Sequence, residues 1–232
     1  MFSLVIFITF VIFHTKFNMI IPELHNIREE YIKAKLDEDS VDLNPIQQFI
    51  NWMNEALLSK VIEPSAMTVA TVGPTGQPST RTVLLKNIDE KGFIFFTNYN
   101  SHKGKDLAGN PQISLLFFWP ELERQVRIEG KVEKISVQDS MNYFHSRPLG
   151  SQIGAIASSQ SEVIESREVL NTKIEELEKE YKDKQIPMPE HWGGYLVKPH
   201  RIEFWQGRAS RLHDRLLYIA TNTGWQIQRL AP

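Results

Sequence analysis

Apolar residues at Ile46, Phe49, Ile50, Met53 and Leu57 recur at helical spacing directly behind Asn44-Pro45. A capping residue followed by proline suits a helix start, so an amphipathic helix is predicted there. The pattern then turns β-like. Ala66 to Val72 reads as a short strand, Gly73-Pro74-Thr75-Gly76 as a turn, and Ser79 to Ile88 as a second strand. Asp89-Glu90-Lys91-Gly92 turns the chain into Phe93 to Asn98, and Ile113 to Trp119 and Gln125 to Ser136 are two further strands.

Helical signals take over from Val137 to Tyr181. Within them Glu162 to Lys184 is charge-rich, with Val163, Leu170, Ile174 and Leu177 as a thin apolar stripe, and reads as a solvated helix lying along one edge. The tail returns to strands at Tyr195 to Val197, Arg201 to Trp205, Leu216 to Thr221 and Trp225 to Arg229, the last two joined by Asn222-Thr223-Gly224. Strands linked by short turns indicate an antiparallel meander curled into a barrel, so the class is α+β with flanking helices.

The first residues break this pattern. Phe2 to Phe13 is almost wholly apolar but too short to cross a bilayer, which takes about 20 helical residues. It lacks the basic leader and small-residue cleavage site of a signal peptide. Residues 1–18 are expected to be a dispensable extension, with the functional domain running from Met19 to Pro232 and no membrane association.

A length of 232 residues fits one large domain. A net charge of −2 gives no broad positive field, which argues against nucleic-acid binding and leaves any anion to local clusters. The absence of cysteine excludes disulfides, thiolate metal sites and cysteine nucleophiles, and fits the reducing cytoplasm expected for the protein. No phosphate loop, GxGxxG or HExxH pattern occurs, so dinucleotide, NTPase and metal readings are poor. Tyr143-Phe144-His145-Ser146 sets a serine near a histidine without a nucleophile elbow.

What remains is a scatter of cations and polar groups. Arg211-Leu212-His213-Asp214-Arg215 packs two arginines and a histidine into five residues. It suits an anion beside a polar ring; taken alone, it reads more simply as a basic loop after a strand, satisfied by water and nearby acids. Arg81 and Lys86 share a predicted strand, where strict alternation points them to opposite faces; one ligand reaches both only if the strand twists, bulges or meets it edge-on. Ser101-His102-Lys103 stands at a helix start, where free N–H groups favour phosphate. Tyr143, Arg147 and Ser151 fall at four-residue intervals, interrupted by Pro148. A helix ending near Ser146 and another starting at Pro148 would gather three hydrogen-bond donors around a corner. The alternative is a core tyrosine beside two exposed residues.

Together these segments resemble the pyridoxamine (pyridoxine) 5′-phosphate oxidase family, from about Leu24 to Pro232. The residues that carry the resemblance are Arg81-Thr82-Val83-Leu84-Leu85-Lys86, Phe96-Thr97-Asn98, Glu123-Arg124-Gln125-Val126, Tyr143 to Pro148, Ser151 to Ala155, Phe204-Trp205-Gln206-Gly207, Arg211 to Arg215, and the terminal Arg229-Leu230-Ala231-Pro232. The resemblance implies a split β-barrel homodimer with FMN in clefts between subunits. It implies FMN contacts from Arg81, Thr82, Val83, Leu84, Leu85, Lys86, Phe96, Thr97, His102, Lys103, Gln125, Gln160, Ser161, Trp205 and Arg215. The substrate phosphate would fall to Lys86, Tyr143, Arg147 and Ser151, with Arg211 and His213 orienting the pyridine ring as the catalytic pair. The implied reaction oxidises pyridoxamine or pyridoxine 5′-phosphate with O2.

Two departures stand out. His102 replaces the arginine of the family's usual Ser-Arg-Lys run, which is expected to weaken FMN binding or make it pH-sensitive. Phe96 replaces a tyrosine seen in some relatives, a loss of one hydroxyl expected to matter little if the backbone makes the contact. The rival readings are a flavin reductase on the same barrel and a non-catalytic carrier of FMN or vitamin B6 phosphate.

Overall fold

Asn44 caps the first helix, α1 (Pro45–Leu58), by accepting the Ile46 N–H at 2.9 Å. The helix buries Ile46, Phe49, Trp52 and Ala56 against the barrel, and Phe49 meets Phe93 and Phe117 edge-on, with centroids 5.0 and 4.8 Å apart. Leu57 faces solvent instead; Trp52 and Ala56 take the inward positions. The computed structural model describes residues 30–232, of which Tyr31–Pro232 make one compact unit. The apolar run Phe2–Phe13, the expected start at Met19 and the resemblance from Leu24 to Glu29 lie outside the described residues.

In chain order there follow β1 (Ala66–Val72), β2 (Pro78–Leu84), β3 (Asn87–Asp89), β4 (Gly92–Asn98), α2 (His102–Gly109), β5 (Gln112–Trp119) and β6 (Arg124–Lys134). Three helices come next, α3 (Val137–Ser146), α4 (Leu149–Ala157) and α5 (Arg167–Glu180), then β7 (Trp192–Gln206), β8 (Asp214–Thr221) and β9 (Gly224–Arg229). All strand pairs are antiparallel, but they do not follow chain order: the sheet runs β2-β1-β5-β6-β7-β4-β3, with β8 and β9 added beyond β7. The simple meander is therefore corrected. Helix α2 and the α3–α5 segment are long enough to carry the chain between strands that are not neighbours in sequence.

β2 and β3 form the two ends of this path, yet only Leu85 and Lys86 separate them. The sheet must curl for its ends to meet. The Leu85 N–H donates to Ser65 O at 2.8 Å, while the Lys86 N–H donates to Ile94 O at 2.9 Å, so the two residues fasten opposite sides of the seam. The single strand expected over Ser79–Ile88 is thus two strands, because the hydrogen-bonding partner changes at the seam.

The tail holds a second correction. Tyr195–Val197 and Arg201–Trp205 belong to one strand, β7, which pairs with β6 from Tyr195 to Gln206. On its other side β7 pairs with β4 up to Val197 and with β8 from Arg201. Pro199 sits in the gap between those partners and beside a bulge at Glu129/Gly130, where its missing N–H costs no ladder bond. The charged helix is also shorter than expected: α5 begins at Arg167, and Val163, 98% exposed, precedes it.

The barrel core joins Phe49, Phe93, Phe95, Phe117, Trp119, Phe204 and Tyr218, all essentially removed from water. Each such side chain contributes on the order of 1.5–3 kcal/mol of burial. A smaller core of Phe144, Ile153, Ile186 and Trp192 seats α3 and α4 beside the barrel. Among the described residues no helix is long and apolar enough to cross a membrane.

Candidate functional site

A cavity of about 840 Å³ opens between β2, the end of β4, the start of α2 and the α3–α4 corner. Six consecutive residues of β2, Ser79 to Leu84, line it together with Lys86. A strand presented by its face would contribute alternate residues only, so β2 meets the cavity edge-on. Among the described residues its outer edge has no strand partner. The seam then returns Lys86 to the same cavity while Leu85 turns into the core. This is how Arg81 and Lys86 come to share one space.

One end of the cavity is cationic. Ser101 caps α2, its hydroxyl accepting the Gly104 N–H at 3.3 Å, and Gly104 lets the helix start press against Tyr99. Lys103 is buried, and its Nζ donates to Thr97 Oγ1 and Gln160 Oε1, both at 2.9 Å. Burial and then the nearby Arg81 pull its pKa down to about 8. Arg81 donates from Nη1 to Thr71 Oγ1 at 2.7 Å and to Ser79 O at 3.0 Å. Burial lowers its pKa, opposed by Asp106. His102 is exposed at the rim, with its backbone N–H donating to Ser161 Oγ at 3.2 Å.

The α3–α4 corner supplies a second cationic group. α3 ends at Ser146 and α4 begins at Leu149, so Pro148 bends the chain and Tyr143, Arg147 and Ser151 all reach the cavity. The Arg147 guanidinium lies over Trp192, its carbon 4.8 Å from the ring centroid. Its Nη1 is buried without a hydrogen-bond partner among the described residues. Burial lowers the Arg147 pKa and raises that of Tyr143, and each opposes the other's shift. Phe96 stacks on Tyr143 at 3.9 Å and on Trp192 at 5.3 Å, giving the cavity an aromatic wall.

Among the described residues no carboxylate hydrogen-bonds to Lys103, Arg81 or Arg147. A buried amine held by neutral oxygens and a guanidinium nitrogen with nothing to bind are suited to anions that arrive from outside. Two such groups in one cavity suit two phosphates.

Arg211, His213, Gln125, Trp205 and Arg215 do not border this cavity. Gln125, Trp205 and Arg215 lie side by side on β6, β7 and β8, where Gln125 pairs with Trp205 and Trp205 with Arg215, and Arg211 and His213 stand on the segment leading into β8. The His213 and Trp205 ring centroids are 4.5 Å apart. His213 Nδ1 accepts the Arg208 N–H at 3.1 Å, which puts the proton of the neutral ring on Nε2. Burial and then Arg211 lower its pKa, opposed by Asp214, which favours that neutral form. Arg215 donates to the buried Glu203 at 2.9 Å. Arg211 is exposed and left-handed, with φ 61° beside Ser210 at 57°.

Sequence reasoning missed Trp192, Asn98 and Ser158 in the cavity wall, and Thr71 and Asp106 behind it. Trp192 follows a loop and carries no periodic signal. Only the stretch of aromatic and small residues from Trp192 to Tyr195 hinted at a strand there.

A family model described as pyridoxamine 5′-phosphate oxidase matches residues 53–181, and one described as the pyridoxine 5′-phosphate oxidase C-terminal dimerisation region matches residues 192–232. The pyridoxine/pyridoxamine 5′-phosphate oxidase of Trichormus variabilis is 56% identical over 208 residues, covering 89% of this chain and 97% of the relative. That of Paraburkholderia xenovorans is 56% identical over 211 residues, covering 90% and 99%. Among solved structures, PhzG from Burkholderia lata in complex with tetrahydrophenazine-1-carboxylic acid superposes with a TM-score of 0.82 at 30% identity, covering 87% of this chain and 100% of that one. A pyridoxamine 5′-phosphate oxidase-related, FMN-binding protein from Nostoc punctiforme shares the fold at a TM-score of 0.64 and 17% identity, covering 78% and 96%.

Proposed function

Because the chain belongs to the pyridoxamine 5′-phosphate oxidase family, we propose that it oxidises pyridoxamine and pyridoxine 5′-phosphate to pyridoxal 5′-phosphate with FMN and O2. The observation that carries this reading is the pair of cationic groups in one cavity, Arg81 with Lys103 and Arg147 with Tyr143 and Ser151. A carrier of a single phosphate has no need of the second group.

FMN, when bound, supplies the two-electron chemistry and its return to O2. The reaction takes two hydrogens from the 4′ carbon. The alcohol gives aldehyde and hydrogen peroxide; the amine, with one water, also releases ammonia. The residues do the placing. Lys103, Arg81 and the start of α2 would hold the cofactor phosphate, and the open edge of β2 would offer backbone groups to the flavin. Arg147, Tyr143, Ser151 and Lys86 would hold the substrate phosphate and so fix the ring relative to the flavin.

Arg211 and His213 are the proposed ring-orienting pair. Within one chain they belong to the β6–β8 cluster rather than to the cavity. Trp192 in the cavity wall and Trp205 in that cluster stand on the same strand, on the order of 40 Å apart along it at ~3.3 Å per residue. The reading therefore requires a homodimer in which each chain lends its C-terminal cluster to the other's cavity. The match of residues 192–232 to a dimerisation region supports this arrangement.

The test is an aerobic assay of purified protein with added FMN and each phosphate ester in turn, following aldehyde and hydrogen peroxide together. Matched formation of both is expected. Protein that retains FMN but makes neither product would leave a flavin reductase or a carrier.

A further inference from the structure

We propose that Asp106 is a positioning residue for the cofactor phosphate, acting on Arg81 through Thr71. The inference rests on the FMN reading above and deepens it. Asp106 is 4% exposed on the second turn of α2, and its Oδ2 accepts the Thr71 hydroxyl proton at 2.7 Å. Thr71, fully buried on β1, accepts in turn from Arg81 Nη1 at 2.7 Å.

A threonine hydroxyl has one proton to give. With that proton committed to a carboxylate, which only accepts, the oxygen lone pairs are left for Arg81. The guanidinium is further held by Ser79, whose carbonyl accepts from Nη1 at 3.0 Å and whose hydroxyl accepts from Nη2 at 2.9 Å. Asp106 thus ties α2, which carries Lys103, to the β1–β2 hairpin, which carries Arg81. The two cations are fixed relative to each other before any anion arrives. The other oxygen, Oδ1, lies 3.7 Å from His102 Nε2 at the mouth of the same group.

Charge alone predicts the opposite effect. A carboxylate behind a phosphate site repels the phosphate, so removing its charge should tighten binding. Orientation predicts weakening. The sign of the change separates the two.

The experiment measures dissociation constants for FMN and for riboflavin, which lacks the phosphate, by quenching of flavin fluorescence. Wild type is compared with Asp106→Asn, Thr71→Val and Thr71→Ser. Asp106→Asn and Thr71→Val should each weaken FMN about tenfold and leave riboflavin nearly unchanged, as expected for one misaligned charged hydrogen bond. Thr71→Ser, which keeps the hydroxyl, should restore FMN affinity. The double variant should bind no worse than either single one, since both break one path. Tighter FMN binding in Asp106→Asn, unchanged binding, or parallel loss of both flavins would overturn the assignment. Wild-type protein that fails to bind FMN would overturn the cofactor reading as well.

Discussion

Arg147 lies over Trp192, its guanidinium carbon 4.8 Å from the ring centroid, and keeps a buried nitrogen that nothing among the described residues satisfies. The aromatic ring orients the cation without consuming its hydrogen bonds. Arg147→Ala is therefore expected to raise KM for either phosphate ester and leave kcat near wild type. The loss should be about 1.5–3 kcal/mol, read from steady-state kinetics. An equal fall in kcat would move Arg147 to the reacting centre.

Arg211→Ala should behave differently. In its proposed ring-orienting role Arg211 would contribute more in the transition state than in the ground state, so kcat should fall on the order of tenfold or more. An unchanged kcat would remove Arg211 from catalysis.

The same two variants test the shared site. If each cavity needs the C-terminal cluster of the other chain, a heterodimer of Arg147→Ala and Arg211→Ala chains contains one intact site and one doubly damaged one. Random reassembly of equal amounts, assayed with substrate well below KM, should then recover roughly a quarter of wild-type activity. Activity no higher than the two variants separately would confine the site to one chain.

On the proposed reading, Lys103 would make FMN binding pH-dependent. Its folded pKa of about 8 lies below the ordinary lysine value. Between about pH 8 and ~10.4 the unfolded chain binds more protons, so this group's contribution to stability rises with pH in the free protein. Bound FMN works against that trend. Its phosphate carries close to two charges above pH ~7 and favours the protonated amine, so FMN affinity should fall as pH climbs past about 8. Fluorescence titrations from pH 7 to ~10 would show it, and Lys103→Arg should flatten the profile.

Gly104 has a steric role. A Cβ there would lie 2.1 Å from the Tyr99 carbonyl oxygen and 2.5 Å from its carbon, so Gly104→Ala must shift the start of α2. The expected cost is about 1–3 kcal/mol in denaturant unfolding, with loss of FMN affinity beyond it because Lys103 moves too.

Elements marked by local chemistry were legible in the sequence. Asn44-Pro45 announces α1, Gly73 to Gly76 ends β1, and Pro148 places the corner that brings Arg147 beside Tyr143 and Ser151. The seam at Leu85-Lys86 was not legible, because alternation of side chains does not say which strand supplies the hydrogen bonds. β7 read as two strands because a proline in a strand is unfavourable unless a bulge and a change of neighbour coincide there, and here both do. Asp106 looks like any charged residue of a short helix until Thr71 is seen against it. The separation of Arg211 and His213 from the cavity is a property of the folded chain that motif order cannot convey.

The edge-on approach of β2 also bears on how the site tolerates change. A ligand seated against a strand's free edge reads peptide groups, which every residue but proline supplies alike. Thr80 and Thr82, whose side chains are exposed, can drift across a lineage without altering what the edge offers. The sites of mutational risk are instead Arg81 and the substitutions that delete an amide or slip the β1–β2 register. Arg81 apart, side-chain identity along β2 is then a poor guide to whether a distant relative still holds the same cofactor.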